Sequence, residues 1–274
     1  MARYGWLLLW LCVTTGAVAA QSAGEDVAGS ASETANDVPA ANPGRPTVST
    51  PATITPAGYF QFETGVMGAW TSPEFSSQFN VNEVIKFSVS RWLELVAAAV
   101  PYEHAVSDGQ TFNGTGGFGL GAQAVVHHGE GANPTVAVAY LGTVVDGNTP
   151  NLDIGSFRHA AVLLVSADLK GFHVDNNYVF DMDEQAGVRR AEYGQTLSVS
   201  HALGRGFGLS GEIWHFTQPF LNSNCVGTLW AVNYNAKKNL VFDAGFNRGL
   251  TSTSTRWEVF AGFTYLLPRK VTLW

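Results

Sequence analysis

From Phe79 to Ser90 the chain alternates strictly enough to name its own conformation. Phe79, Val81, Ile85, Phe87 and Val89 fall on one side, and Asn80, Asn82, Lys86, Ser88 and Ser90 on the other. A period of two belongs to an extended strand with one apolar and one polar face. Glu83 breaks the apolar row and Val84 the polar one. Similar stretches recur near 57–69, 79–90, 93–104, 116–127, 135–145, 157–169, 172–182, 191–202, 207–218, 227–235, 240–247 and 255–267, which makes twelve segments. Their lengths suit the roughly 9 to 11 tilted residues with which a strand crosses a bilayer.

The connections between these segments alternate in length. Short ones are Ser90-Arg91-Trp92, Lys170-Gly171, Leu203-Gly204-Arg205-Gly206 and Ala236-Lys237-Lys238-Asn239; longer ones run over 71–78, 105–115, 146–156, 183–190, 219–226 and 248–254. The stretch 128–134 is a turn of the short class that comes out long. Alternation of this kind along an even number of strands marks an outer-membrane barrel, with short turns in the periplasm and longer loops outside. A soluble sandwich has no reason to sort its connections. A polytopic helical membrane protein is excluded as well. Beyond the first twenty residues the longest apolar run, Ala160 to Val165, is far below the roughly 18 to 20 residues that a spanning helix needs.

Composition agrees. Charged residues make up 14% of the chain, against about 25% in a soluble domain. The net charge of −7 gives a nucleic-acid partner no electrostatic support. Residues 1–20 read as a secretory signal peptide: Arg3 opens it, Trp6 to Val13 is its apolar stretch, and Ala17-Val18-Ala19-Ala20 offers the cleavage site. Of the two cysteines, Cys12 lies in that segment, so Cys225 has no partner for an intramolecular disulfide in the mature chain. From 21 to 50, Ala, Ser, Gly, Asn and Pro dominate without any period, which predicts a disordered periplasmic tail before a barrel over 51–274.

The expected fold class is therefore all-β, a transmembrane antiparallel β-barrel of about 12 strands with a disordered N-terminal tail. In hydrocarbon every backbone N–H and C=O needs an internal partner, so a sheet spans only by closing on itself. The apolar face then meets lipid and the polar face lines the lumen. In the last segment Trp257, Val259, Ala261, Phe263, Tyr265 and Leu267 share the lipid side; Arg256, Glu258, Gly262 and Thr264 share the other, with Phe260 an exception. Gly262, Tyr265 and Leu267 also match, in part, the C-terminal signal read by the barrel-assembly machinery. Aromatics collect towards strand ends, as interfacial girdles require. Tyr59, Phe172, Phe207, Tyr234 and Tyr265 fall at the periplasmic end; Trp70, Phe79, Phe157, Tyr193, Phe246 and Trp257 fall at the outer end.

On this register the lumen-lining ionisable residues are Glu63, Lys86, Glu94, Arg158, Asp168, Asp175, Asp181, Glu192, Glu212, Asp243, Arg256 and Glu258. They either select solutes by charge and size or pair across the lumen and fill it. Acids outnumber bases nine to three in this set, which favours cations or neutral solutes over anions. Charge is also uneven between the two ends. Arg91, Lys170, Arg205, Lys237, Lys238, Arg269 and Lys270 fall on the periplasmic side with Glu130 as the acid there; Glu74, Asp108, Asp146, Asp153, Asp183 and Glu184 fall outside, with Arg189, Arg190 and Arg248.

Other chemistry is poorly supported. Ser200 and His201 are adjacent in a strand and point to opposite faces, and there is no Gly-x-Ser-x-Gly elbow, so a barrel hydrolase is the less favoured alternative and no catalytic residue is assigned. His127 and His128 diverge in the same way and have no further ligand spacing, so no metal site is assigned. Gly119-x-Gly121-x-x-Ala124 has the spacing of a dinucleotide fingerprint but continues into a strand rather than a helix, so no cofactor is expected. Asp181, Asp183 and Glu184 read as a solvated loop near the outer surface, with divalent or lipopolysaccharide-bridging cations as the alternative.

A resemblance adds to this. Arg45-Pro46, followed by Pro51-Ala52-Thr53-Ile54-Thr55-Pro56-Ala57-Gly58-Tyr59-Phe60-Gln61-Phe62-Glu63-Thr64-Gly65, resembles the opening of the bacterial outer-membrane family of MetA-pathway of phenol degradation transporters. The first-strand pattern Gly-aromatic-x-aromatic-Glu-x-Gly is its specific part. Gly44 stands where the family has an acidic residue before Arg-Pro. The resemblance implies about a dozen strands, residence in a Gram-negative outer membrane and transport of aromatic compounds; it brings no site residues with it. The expectation is a porin-like channel for passive passage of small solutes, aromatic or hydrophobic ones among them. A plugged structural barrel without conductance is the alternative. The partners expected are outer-membrane lipid and lipopolysaccharide, the barrel-assembly machinery and a small-molecule solute.

Overall fold

A computed structural model describes residues 38–147, 159–185 and 188–271, without the side chains of 183–185. The signal peptide, the tail up to Asp37, and Phe157 and Arg158 lie outside the described residues. The strands are β1 (Phe60–Trp70), β2 (Ser77–Ser88), β3 (Leu93–Ser107), β4 (Gln110–Gly114), β5 (Gly117–His127), β6 (Thr135–Asp146) and β7 (His159–Leu169). They continue as β8 (Phe172–Gln185), β9 (Val188–Gly204), β10 (Phe207–Gln218), β11 (Ser223–Lys237), β12 (Leu240–Gly249) and β13 (Trp257–Leu266).

Consecutive strands pair antiparallel except that β5 pairs with β3 rather than β4; β1 pairs with β13 and β2 with β3, so the sheet closes. Twelve strands form the ring; β4 pairs only with β3, as an extension of the β3 hairpin beyond the wall. Closure leaves no edge of unpaired backbone, the condition for a sheet in hydrocarbon. Two connections read as loops turn out to be largely strand. The segment 105–115 holds the end of β3 and β4, and 183–185 and 188–190 extend β8 and β9 past the ring. The short turns are tight: Lys170 (φ 53°) and Gly171 (φ 87°) are both left-handed, the two-residue hairpin geometry that matches strand twist.

One irregularity resets the faces of β3. Val81 pairs with Tyr102 and Glu83 with Ala99, leaving Val100 and Pro101 in a bulge. Proline has no N–H for the ladder, so it belongs where the ladder slips. Glu94 is buried in the lumen before the bulge, and Glu103 and Ala105 after it.

The outward face is a continuous apolar skin, which includes Val66, Leu95, Leu120, Leu163, Ile213 and Val259. Exposed aromatics band its two ends. Phe172, Phe207 and Tyr234 mark the short-turn end, and Trp70, Phe79, Tyr193, Phe246 and Trp257 the long-loop end. Midway between Phe87 and Phe79 on β2, Glu83 also faces outward, held by the Thr64 hydroxyl at 2.5 Å.

The disordered tail expected over 21–50 requires correction. Residues 38–50 are described, and from Asn42 to Thr55 the chain lies inside the barrel. The wall accordingly begins at Phe60 rather than 51. This stretch lacks internal periodicity because it forms no secondary structure of its own; apart from a few bonds of its own, such as Asn42 to Thr53, the wall around it orders it.

Candidate functional site

The inner segment is a belt. It enters at the short-turn end, where the Ala41 amide donates to the carbonyl of Lys238, and returns there, where Gly58 donates to Ser88. Between these points it visits the wall in strand order: β1, β12, β10, β9, β8, β7, β5 and β3. An extended segment with no neighbouring strand must find other acceptors for its N–H groups. The wall supplies them as side chains. Asn42 donates to Gln61 (2.8 Å), Gly44 to Glu63 (2.9 Å), Thr50 to Asn177 (2.6 Å), Ala52 to the Ser166 hydroxyl (2.7 Å) and Thr55 to Glu94 (2.8 Å). Glu212 takes the amides of both Val48 and Ser49, at 2.7 and 2.6 Å, and the Ser49 hydroxyl as well.

Arg45 fixes the belt to β12. Its guanidinium donates two hydrogen bonds to Asp243, at 2.9 and 3.1 Å, the two-point geometry that makes arginine–carboxylate pairs strong. The group lies flat over Gly65 and Gly262, where a Cβ would run into it. Beside it Lys86 donates to Glu63 at 2.6 Å, both side chains buried. The Arg-Pro pair and the Glu-x-Gly of the first strand thus meet in space, although 18 residues separate Arg45 from Glu63. Apolar belt residues complete the docking. Ala52 and Ile54 pack on Val125, Ala137 and Leu164; Val48 packs on Trp214, Phe216, Leu229 and Phe260. Phe260 turns inward because the belt is there to meet it.

The lumen is not polar all round. Val96 and Ala98 on β3, Ala139 and Leu141 on β6, Ala160, Val162 and Leu164 on β7, and Val179 on β8 form an apolar wall. Between this wall and belt residues Gly44, Arg45, Val48 and Thr50 lies a cavity of about 370 Å³. Its polar groups are few and include Glu63, Lys86, Gln123, Asn177 and Thr196. Small-molecule sites have this size and make-up. The expectation of a uniformly hydrophilic interior is corrected here: from Ala160 to Val165, β7 is apolar on both faces. The unbroken run Ala160–Val165 was the signal, since alternation fails where both faces of a strand are apolar.

Of the residues assigned to the lumen, Glu63, Lys86, Glu94, Asp175, Asp181, Glu192, Glu212, Asp243 and Glu258 are buried in the wall. Asp168 stands at the short-turn mouth, exposed and bonded to His173 at 2.7 Å. Arg256 is corrected: it precedes β13 and is exposed at the long-loop end. Arg158 lies outside the described residues. Asp181 belongs to β8 and is buried, not part of a solvated loop. His201 is exposed and packs against Phe172 with its ring tilted, and His128 packs in the same way against Trp92, both at the short-turn end. The residues that sequence reading passed over are the belt donors and their neutral acceptors, Gln61, Ser166 and Asn177. Nothing local marks them, because each is defined by a contact across the lumen.

Comparison with solved structures places this architecture among outer-membrane channels. The chain is similar to the COG4313 outer membrane channel from Pseudomonas putida F1, with a TM-score of 0.57 and 14% identity over 79% of this chain and 98% of that one. It is similar to the NanC porin (TM-score 0.53, 8% identity, 74% and 98% covered) and to the KdgM porin in complex with disordered oligogalacturonate (0.51, 12%, 75% and 98%). These likenesses define the class, a closed twelve-stranded β-barrel with the fold of outer-membrane channels. No family model and no curated protein matches the chain.

Proposed function

We propose that this protein is an outer-membrane channel through which small, compact solutes pass, apolar and aromatic ones in particular, with the belt narrowing the path. The observation that carries the reading is the cavity of about 370 Å³, in which an apolar wall faces a few polar groups beside the belt. A water-filled pore for sugars or ions has no use for Val162, Leu164 and Val179 on its lining, whereas a compact apolar molecule gains about 25 cal/mol for each Å² of apolar surface it buries there. The resemblance of the Arg45-Pro46 and Gly58–Gly65 segments to MetA-pathway of phenol degradation transporters supports the same solute class. In this reading the signal peptide sends the chain out of the cytoplasm, the short turns face the periplasm and the long loops face outward.

A second reading rests on the belt itself. Seven backbone amides are held by wall side chains, which suits a barrel closed in its resting state. Proteoliposomes of the full chain separate the two. Entry of toluene or phenol above that of protein-free vesicles, with little ion current in planar bilayers, supports uptake of compact apolar solutes. Absence of both leaves the closed structural barrel.

A further inference from the structure

At the short-turn end the cations follow a repeated plan. In the turn between β2 and β3, the Arg91 guanidinium lies 5.0 Å from the centre of the exposed Trp92 ring. Between β7 and β8, exposed Lys170 precedes outward-facing Phe172. Between β9 and β10, exposed Arg205 precedes outward-facing Phe207, which packs 4.7 Å from Tyr234. Lys237 and Lys238 cap the hairpin that carries Tyr234, and Arg269 and Lys270 follow Tyr265 out of β13; all four cations are exposed. The connection between β5 and β6 departs from the plan and carries Glu130.

Phe172, Phe207 and Tyr234 belong to the outward face, so their turns border the bilayer; Lys270 lays its stem over Gly58, where the belt leaves the lumen. The mouth enclosed by this collar has inward-facing acids at the same end, Glu94, Asp168 and Asp175, with His173 between the two aspartates and Asp243 already paired with Arg45. A collar that served to draw anionic solutes would lead them into that acidic mouth. Successive turns are two strands apart, about 10 Å along the rim, which is room for one lipid at each turn. Aromatic rings settle at the ester level of a leaflet, with cations just beyond at the phosphates.

We propose that this collar binds the phosphate headgroups of anionic glycerophospholipids, one at each basic turn, and anchors that end of the barrel in its leaflet. The proposal rests on the chain spanning a membrane and is independent of what, if anything, passes through. The test uses the full-length protein, released from nanodiscs of equal phosphatidylglycerol and phosphatidylcholine and analysed by native mass spectrometry. Phosphatidylglycerol is expected to be retained several-fold over phosphatidylcholine, with about a fivefold contribution per occupied turn at low salt and less at high salt. A variant carrying R91Q, K170Q, R205Q, K237Q, K238Q, R269Q and K270Q should lose that preference while keeping the heat-shifted gel migration of a folded barrel. Equal retention of the two lipids by the native protein, or an unchanged preference in the folded variant, overturns the proposal. A native chain that stays in solution without detergent or lipid defeats the membrane reading itself and is told apart by that. Preference for an anionic solute in reversal-potential measurements, without lipid preference, would assign the collar to solute steering and also overturn it.

Discussion

The two halves of the lumen wall solve opposite problems. From β9 round to β2 the inner surface is rich in acceptors, and the belt takes up many of them: Glu212 binds two amides and a hydroxyl, Asp243 binds Arg45, and Glu63 binds both Gly44 and Lys86. From β3 to β8 the belt has the acceptors Glu94, Ser166 and Asn177, but between them lies a patch of Ala, Val and Leu, part of which stays uncovered as the wall of the cavity. Charge density inside a barrel is therefore a poor measure of how hydrophilic its path is. Many of these carboxylates serve the backbone of a guest segment, since buried N–H groups without partners cost more than a typical hydrogen bond returns. The apolar patch between such groups is where there is room for a solute.

This contrast can be broken most severely at Glu212. Glu212→Ala removes the acceptor of three belt hydrogen bonds, for an expected loss of about 3 kcal/mol in belt docking. Single-channel current should rise several-fold, and protease should cut between 42 and 55; an unchanged current would mean that the belt does not limit the path. A smaller effect is expected at Gly65. Gly65→Val puts a side chain where the Arg45 guanidinium lies, which should lower stability by about 2 kcal/mol in urea unfolding against lipid vesicles. The loss should largely vanish in an Arg45→Ala background if the clash is its cause.

Glu83 sharpens the comparison from outside. The lumen carboxylates have the belt and the wall around them, whereas Glu83 faces lipid at mid-depth with the Thr64 hydroxyl as its hydrogen-bond partner. Glu83→Leu should stabilise the barrel by about 1 to 2 kcal/mol in the same unfolding experiment, because a carboxylate on the lipid face is unfavourable near the midplane. A destabilised variant would show that the Thr64–Glu83 pair supports the β1–β2 ladder. The smallest change in stability is expected in the apolar wall. Val162→Leu adds one methylene to the cavity lining, with a stability change under about 1 kcal/mol. Binding of toluene, followed by the quenching of tryptophan fluorescence, should nevertheless weaken measurably; equal binding would place the solute elsewhere.

The ring itself was written in the sequence. Period-two alternation, strand length, sorted connections and end-banded aromatics are local properties, and a closed sheet in lipid is the arrangement that satisfies them together. The burial of Glu63, Glu94, Glu212 and Asp243 follows from the same parity. The belt was not legible, because 38–55 has no period of its own and most of its contacts with the wall join residues distant in the chain, 198 positions apart for Arg45 and Asp243. Phe260, Val84 and the run from Ala160 to Val165 were the visible traces, and they looked like faults in a pattern. Alternation tells which way a side chain points. What it meets there depends on how the chain is folded back into its own lumen, and only the tertiary structure settles that.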